Sequence, residues 1–215
     1  MNRSLFTREY WGMILSGSLL LALALVANFY AGTYATSRGG MYVDDLILDI
    51  LPVFDVSLVF VYGTLFFWAV LGLVLLRRPK EVPFFLKALS LFIVVRSLFI
   101  TLTHLGPVPH LPIRDPYNLV VSTFTFGGDL FFSGHTGIPF LMALMYWKES
   151  LLRYLFLFSS LGFGATVLLG HLHYSIDVFA AFFITYGIHE MAKRFFPAEY
   201  DLFRTSLTKP IDLGN

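Results

Sequence analysis

Six stretches of this chain are apolar for about as long as a bilayer is thick, and this limits the fold more than any other feature. Crossing a hydrocarbon core as a helix takes roughly 17–25 residues. Runs near that length fall at approximately 10–31, 56–76, 83–104, 133–147, 151–171 and 174–195, the fourth being short. Only 13% of residues are charged and mean hydropathy is +0.73, whereas a soluble domain carries about a quarter charged residues. The first run, Trp11–Tyr30, is longer than the ~7–15 apolar residues of a secretory signal, so it reads as a retained span. The expectation is an all-α integral membrane protein: one membrane domain over 1–215, built as a six-transmembrane-helix bundle.

The basic residues then orient it. With the N-terminus inside, cytoplasmic segments hold Arg3, Arg8, Arg77, Arg78, Lys80, Lys87, Lys148, Arg153, Lys193, Arg194, Arg204 and Lys209, which is 12 of 15. Arg38 and Arg114 fall outside, and Arg96 lies within the third span. This positive-inside asymmetry predicts a multi-pass protein with both termini cytoplasmic. A net charge of +1 with no basic stripe gives no path for a nucleic acid, and the absence of cysteine removes thiolate metal sites. Oligomeric state stays open, a homo-oligomer included.

On this topology two polar clusters meet at the extracytoplasmic face: GGDLFFSGHT (127–136), which ends a proline-rich loop of about 25 residues, and HLHYSID (171–177). His173 and Asp177 are spaced i,i+4 and share a helix face. A carboxylate there fixes the imidazole tautomer and leaves the other nitrogen as nucleophile or base. An unpaired aspartate at that depth is costly, which makes it a functional candidate; the plainer reading is a His–Asp hydrogen bond that tethers the loop.

His135 stands beside Ser133, Gly134 and Thr136 at a predicted helix N-terminus, where backbone amides can seat an anion. It suits a general acid or base, against the plainer reading of an N-cap serine followed by an interfacial histidine. Arg96 lies ~12 Å below the outer end of its span and seeks a phosphate or carboxylate. Snorkelling, or pairing with Asp129, would also satisfy it. Together these groups describe phosphoryl transfer without metal or cofactor: His173 attacks phosphorus, Asp177 orients it, and His135 protonates the leaving oxygen. The acidic DDLILD (44–49) reads either as a divalent-ion motif or, preferably, as an amphipathic interfacial segment.

Three segments resemble the sphingomyelin synthase family. FGGDLFFSGHT is similar to its CGDxLFSGHT motif, with Gly127 at or beside the cysteine; HLHYSIDV resembles HxHYTIDV, with Ser175 for threonine; VVRSLFITLTHLGPVP resembles YRxxTMYVTTLPVP and aligns Arg96 with the family arginine. The resemblance covers about 45–195, and DLILDILPVFD adds a weaker likeness. It implies a six-span fold within the type 2 phosphatidic acid phosphatase superfamily and a catalytic set of His135, His173 and Asp177. The implied partners are a membrane phospholipid donor and a lipid alcohol acceptor, with phosphocholine or phosphoethanolamine passing to ceramide and diacylglycerol released.

A lipid phosphate phosphatase or phospholipase C-like hydrolase is the nearest alternative. Phosphatases of the superfamily show KxxxxxxRP and SRxxxxxHxxxD elements; neither is present, and Leu168 stands near where the second arginine would fall. One guanidinium balances a phosphodiester better than a phosphomonoester. The nearby Phe124, Phe126, Phe131, Phe132 and Tyr174 suit an ammonium headgroup, or serve as ordinary packing in a chain that is 18% aromatic. An intramembrane serine protease would want GxSG, and position 131 is phenylalanine. A transporter or non-enzymatic membrane protein leaves three ionisable groups at one face without a role.

Overall fold

The computed structural model describes residues 7–108 and 130–207. Helix α1 (Arg8–Ser37) starts where the Thr7 side chain accepts the Tyr10 N–H at 3.2 Å, an N-cap that satisfies an orphan amide. It is followed by α2 (Ser57–Arg77) and a 3-10 turn (Pro79–Glu81) that leads directly into α3 (Val82–Leu102). Beyond residue 130 come α4 (Gly134–Met145), α5 (Ser150–Leu169), α6 (Ser175–Phe195) and a short α7 (Pro197–Leu207). No strand occurs among the described residues.

Among the described residues, four helical segments are long and apolar enough to cross a membrane: Arg8–Ser37, Ser57–Arg77, Pro79–Leu102 and Ser150–Leu169. The two remaining expected spans differ for separate reasons. α6 has 21 residues, but Asp177, His189 and Glu190 dilute its apolar character. α4 has 12 residues, which at 1.5 Å per residue is only ~18 Å against a core of ~30 Å.

The shortness of α4 follows from where it begins. Its C-cap, Tyr146, donates to the buried Glu81 at 2.6 Å, at the start of α3. Its first residue, Gly134, lies beside Arg96: a Cβ there would stand 3.6 Å from the guanidinium Nε. So α4 runs alongside α3 only between positions 81 and 96. It stops six residues, ~9 Å, short of the α3 end at Leu102. The site is recessed, and α4 is the helix that starts at its floor.

Small residues set the helix spacing. Gly17, Ala24, Ala31 and Ala35 form the buried face of α1 against α3, and a Cβ on Gly17 would lie 3.0 Å from Leu86. Such small-residue seams let spans approach in lipid, where no hydrophobic drive pulls helices together. In the core, Gly137 of α4 meets α3 and α6 so closely that a Cβ would be 2.7 Å from the Phe92 ring and 2.9 Å from Thr185 Oγ1. Around it Phe84, Phe92, Phe132, Leu141, Met142 and Phe156 are fully buried.

The end opposite the site is closed by α7. Phe203 inserts between Phe84 and Tyr146, with ring centroids at 5.4 and 5.8 Å, while Ser206 donates to Glu81 at 3.0 Å. Lys87 pairs with Glu199 at 3.2 Å. At the site end the loops pair with one another. The Gly40 N–H donates to His104 O at 2.9 Å and the Gly106 N–H to Met41 O at 3.2 Å. A Cβ on Gly106 would be 2.4 Å from Gly40 O, so only glycine fits there.

Candidate active site

His173 and Asp177 form the expected pair. Nδ1 of His173 lies 3.0 Å from Asp177 Oδ2, and both side chains are buried, Asp177 completely. A carboxylate accepts, so Nδ1 carries the proton and the lone pair is left on Nε2. The same Oδ2 accepts the Tyr174 N–H at 3.2 Å, which caps the first turn of α6. Oδ1 has no hydrogen-bond partner among the described residues. The aspartate therefore fixes both the helix start and the imidazole.

His135 comes to this pair from α4. The Ser133 N–H donates to the backbone carbonyl of Asp177 at 3.0 Å, which locks the two helix N-termini together. Ser133 is the N-cap of α4, its side chain accepting from the Thr136 N–H at 3.4 Å. The amides of Gly134 and His135 then stand at the positive end of the helix dipole. The half-buried imidazole of His135 packs on Phe60 of α2 and Phe163 of α5, with centroids at 4.4 and 6.2 Å. It lies within electrostatic reach of both His173 and Arg96.

The approach to α4 is strained. Phe131 and Phe132 have φ of 113° and 40°, in the left-handed region that large side chains avoid. Such residues cost about 1–3 kcal/mol each and persist where surroundings over-determine them. Here the Phe131 ring stacks on Phe99 at 5.3 Å, and Phe132 packs edge-on against Phe92 at 5.1 Å. The tight turn is what brings Ser133 to the level of Asp177.

Arg96 is buried on α3, with a long contact of 3.5 Å from Nη1 to Asn28 Oδ1 on α1. The absent Cβ of Gly134 leaves the guanidinium room beside the α4 N-terminus. Asp129, Phe124 and Phe126 lie outside the described residues. The buried hydroxyl of Thr136 has no hydrogen-bond partner among the described residues, while Ser160 donates to the Thr136 carbonyl at 2.7 Å. Tyr174 lies elsewhere than at an open headgroup pocket. It is buried, donates to Gly106 O at 2.8 Å, accepts the Val43 N–H at 3.1 Å, and stacks on Tyr42 at 5.9 Å. It ties together the three loops that frame the site.

Asp45 was not legible as a site residue. Its Oδ2 accepts the Ser175 N–H at 2.7 Å, and its Oδ1 accepts from Ile47 and Leu48 at 3.0 and 3.1 Å. Burial presses its pKa upward, but the N–H groups of Ser175, Leu48 and Ile47 outweigh it and hold the carboxyl below the ordinary aspartate value. That carboxylate is a cap between loops. His171, at φ 52°, places Nε2 3.1 Å from Leu51 O and anchors the same loop.

Buried histidine, a second histidine at a helix N-terminus and a buried arginine thus converge at one recessed end of the bundle. Comparison with known families places this geometry in context. Residues 127–194, which hold both motifs, match the family described as PAP2 superfamily C-terminal. No curated protein and no solved structure matches the chain. The match supports the type 2 phosphatidic acid phosphatase superfamily, and with it lipid chemistry of the phosphatase or phosphotransferase kind.

Proposed function

We propose that the protein is an integral-membrane phospholipid headgroup transferase of the sphingomyelin synthase type. It moves phosphocholine or phosphoethanolamine from a glycerophospholipid to ceramide or a similar lipid alcohol. The observation that carries this reading is the buried hydrogen bond from His173 Nδ1 to Asp177, set against His135 and Arg96. His173 Nε2 attacks phosphorus and the bond to the diacylglycerol oxygen breaks. That oxygen takes a proton from His135. The acceptor hydroxyl then loses its proton to His135 and attacks the phosphohistidine, which frees His173. Arg96 and the amides of Gly134 and His135 hold the non-bridging oxygens, as preorganised donors do for developing charge.

The headgroup preference rests on charge. One guanidinium offsets the single charge of a phosphodiester, whereas a near-dianionic monoester would stay under-compensated where the dielectric is low. The proposal includes the full topology: six spans, both termini cytoplasmic, site facing the extracytoplasmic side. Arg77, Arg78, Lys80, Lys148, Arg153, Lys193 and Arg194 all belong to helix ends or turns at the end away from His173, as the positive-inside rule requires.

Hydrolysis is the second reading, favoured by the superfamily match: water would attack the same phosphohistidine. The test is reconstitution of the purified protein with headgroup-labelled phosphatidylcholine or phosphatidylethanolamine, with and without ceramide. Label on ceramide with diacylglycerol release is the expected result. Free phosphorylated headgroup, regardless of ceramide, would move the assignment to the hydrolase.

A further inference from the structure

Between α2 and α5 runs an apolar groove of about 320 Å³, lined among others by Val59, Gly63, Phe67, Phe156, Gly162 and Phe163. α2 touches the rest of the bundle chiefly through α5, so the groove opens sideways into what the topology makes lipid. Its outer end abuts the site, because Phe163 lines the groove and also packs on the His135 imidazole. Phe60, one turn before Gly63 on α2, packs on the same ring with centroids at 4.4 Å.

Three properties choose the occupant. First, the hydroxyls along the groove are turned away: Ser159 donates to Leu155 O at 2.8 Å and Thr166 to Gly162 O at 2.8 Å, both within α5. The lining is therefore mainly hydrocarbon. Second, Gly162 leaves one wall open, since a Cβ there would meet nothing within 4 Å, while Gly63 lets the Phe163 ring pack 3.3 Å from where its Cβ would stand. Third, Val59 to Val70 cover eleven residue steps of α2, ~16 Å, which is about half of a ~30 Å hydrocarbon core. That is the depth of one leaflet.

We infer that the α2–α5 groove holds one acyl chain of the membrane lipid whose headgroup reacts beside His135. The inference rests on the phosphotransfer reading of that site. It assigns α2 and α5 as the side from which the donor reaches the site, and it makes Phe60 and Phe163 the boundary between chain and headgroup.

The experiment uses phosphatidylcholine with a photoreactive diazirine at the end of one acyl chain, reconstituted with the full-length protein and cross-linked before peptide mapping. Label is expected to concentrate on 59–70 and 155–166. Gly162→Leu, at a position where a Cβ would meet nothing within 4 Å, should reduce that label several-fold. It should also raise KM for long-chain donors while leaving a dihexanoyl donor within about twofold. Label spread evenly over α1 and the other lipid-facing helices would overturn the inference, as would label unchanged in Gly162→Leu. A disulfide forming between two copies of a Gly162→Cys variant would instead assign the groove to self-association and equally overturn it. Cross-linking is read without turnover, so the two readings fail separately. Groove label without consumption of any diester sinks the transferase reading alone; diester turnover without groove label sinks this one alone.

Discussion

The carboxylate of Asp45 accepts the backbone N–H of Ser175 at 2.7 Å, joining residues 130 positions apart. It caps α6 from a different loop, at the amide next to the Tyr174 N–H that Asp177 caps from within. The His173 imidazole therefore hangs from a helix start held at two points. Asp45→Ala is expected to cost about 0.5–2 kcal/mol, the usual loss of an N-cap, seen as lower thermal stability in detergent. As a positioning residue it should lower kcat more than it raises KM. An equal rise in KM with unchanged kcat would show that the cap serves binding alone.

Asp45 also sets a pH expectation. Its folded pKa lies below the ordinary 3.8, so the folded state favours the ionised form. The stability it contributes is fully present above the unfolded value and is lost as pH falls through the lowered folded value. Between pH 5 and 8 this cap should contribute no pH dependence. The stability difference between wild type and Asp45→Asn should therefore be constant from pH 5 to 8 and shrink near and below pH 4, as the wild type loses the contribution of its ionised cap.

The three reacting side chains should separate by residual rate. His135→Ala and His173→Ala are expected to reduce turnover by roughly 10²–10⁴-fold or more, the range for acid–base and nucleophilic groups. Asp177→Asn should leave the most activity, because an amide oxygen still accepts from Nδ1 while the charge is gone. Purified, folded variants are compared by single-turnover assays and by trapping of phosphohistidine. Turnover near wild type in any one removes that residue from the mechanism.

Which of these relationships the sequence could yield depends on their distance along the chain. The His173–Asp177 bond is an i,i+4 pair and was legible from spacing. The recessed arginine was legible because a guanidinium in a run of LFIVV and LFITL has few physical reasons to be there. The shortness of α4 was only half legible: hydropathy marked a short run, but its start at the depth of Arg96 comes from the Ser133–Asp177 backbone bond, which no periodicity encodes. Asp45 and Tyr174 act across 130 residues or more. Their partners are backbone groups, and backbone groups carry no sequence signal. Asp45 was visible only as part of an acidic stretch, for which an interfacial segment was the preferred reading over an ion site.

Packing at the helix crossing gives a stability test independent of chemistry. Gly137→Ala would set a Cβ 2.7 Å from the Phe92 ring and 2.9 Å from Thr185 Oγ1, among residues that cannot retreat. Overpacking of this kind costs about 1–3 kcal/mol. Gly187→Ala, with nothing within 4 Å, is the control and should be neutral or slightly stabilising. Equal melting behaviour of the two variants would mean that α3, α4 and α6 are not seated as described.

Arg96 decides between the donor classes, and it is the last and sharpest test. The guanidinium lies buried beside the α4 N-terminus, where Gly134 leaves it room and where the amides of Gly134 and His135 stand at the positive end of the helix. A phosphodiester needs two non-bridging oxygens held in a plane, which suits the fork of an arginine and not the point charge of a lysine. Arg96→Leu should abolish consumption of phosphatidylcholine and phosphatidylethanolamine. Arg96→Lys should restore little of it, although the charge is kept. Wild-type protein should consume either diester in preference to phosphatidic acid, measured as diacylglycerol release from vesicles containing all three. Faster release from phosphatidic acid, with Arg96→Lys close to wild type, would mean that the site tolerates a second negative charge and needs no bidentate contact. The headgroup-transfer reading would then give way to a lipid phosphate phosphatase.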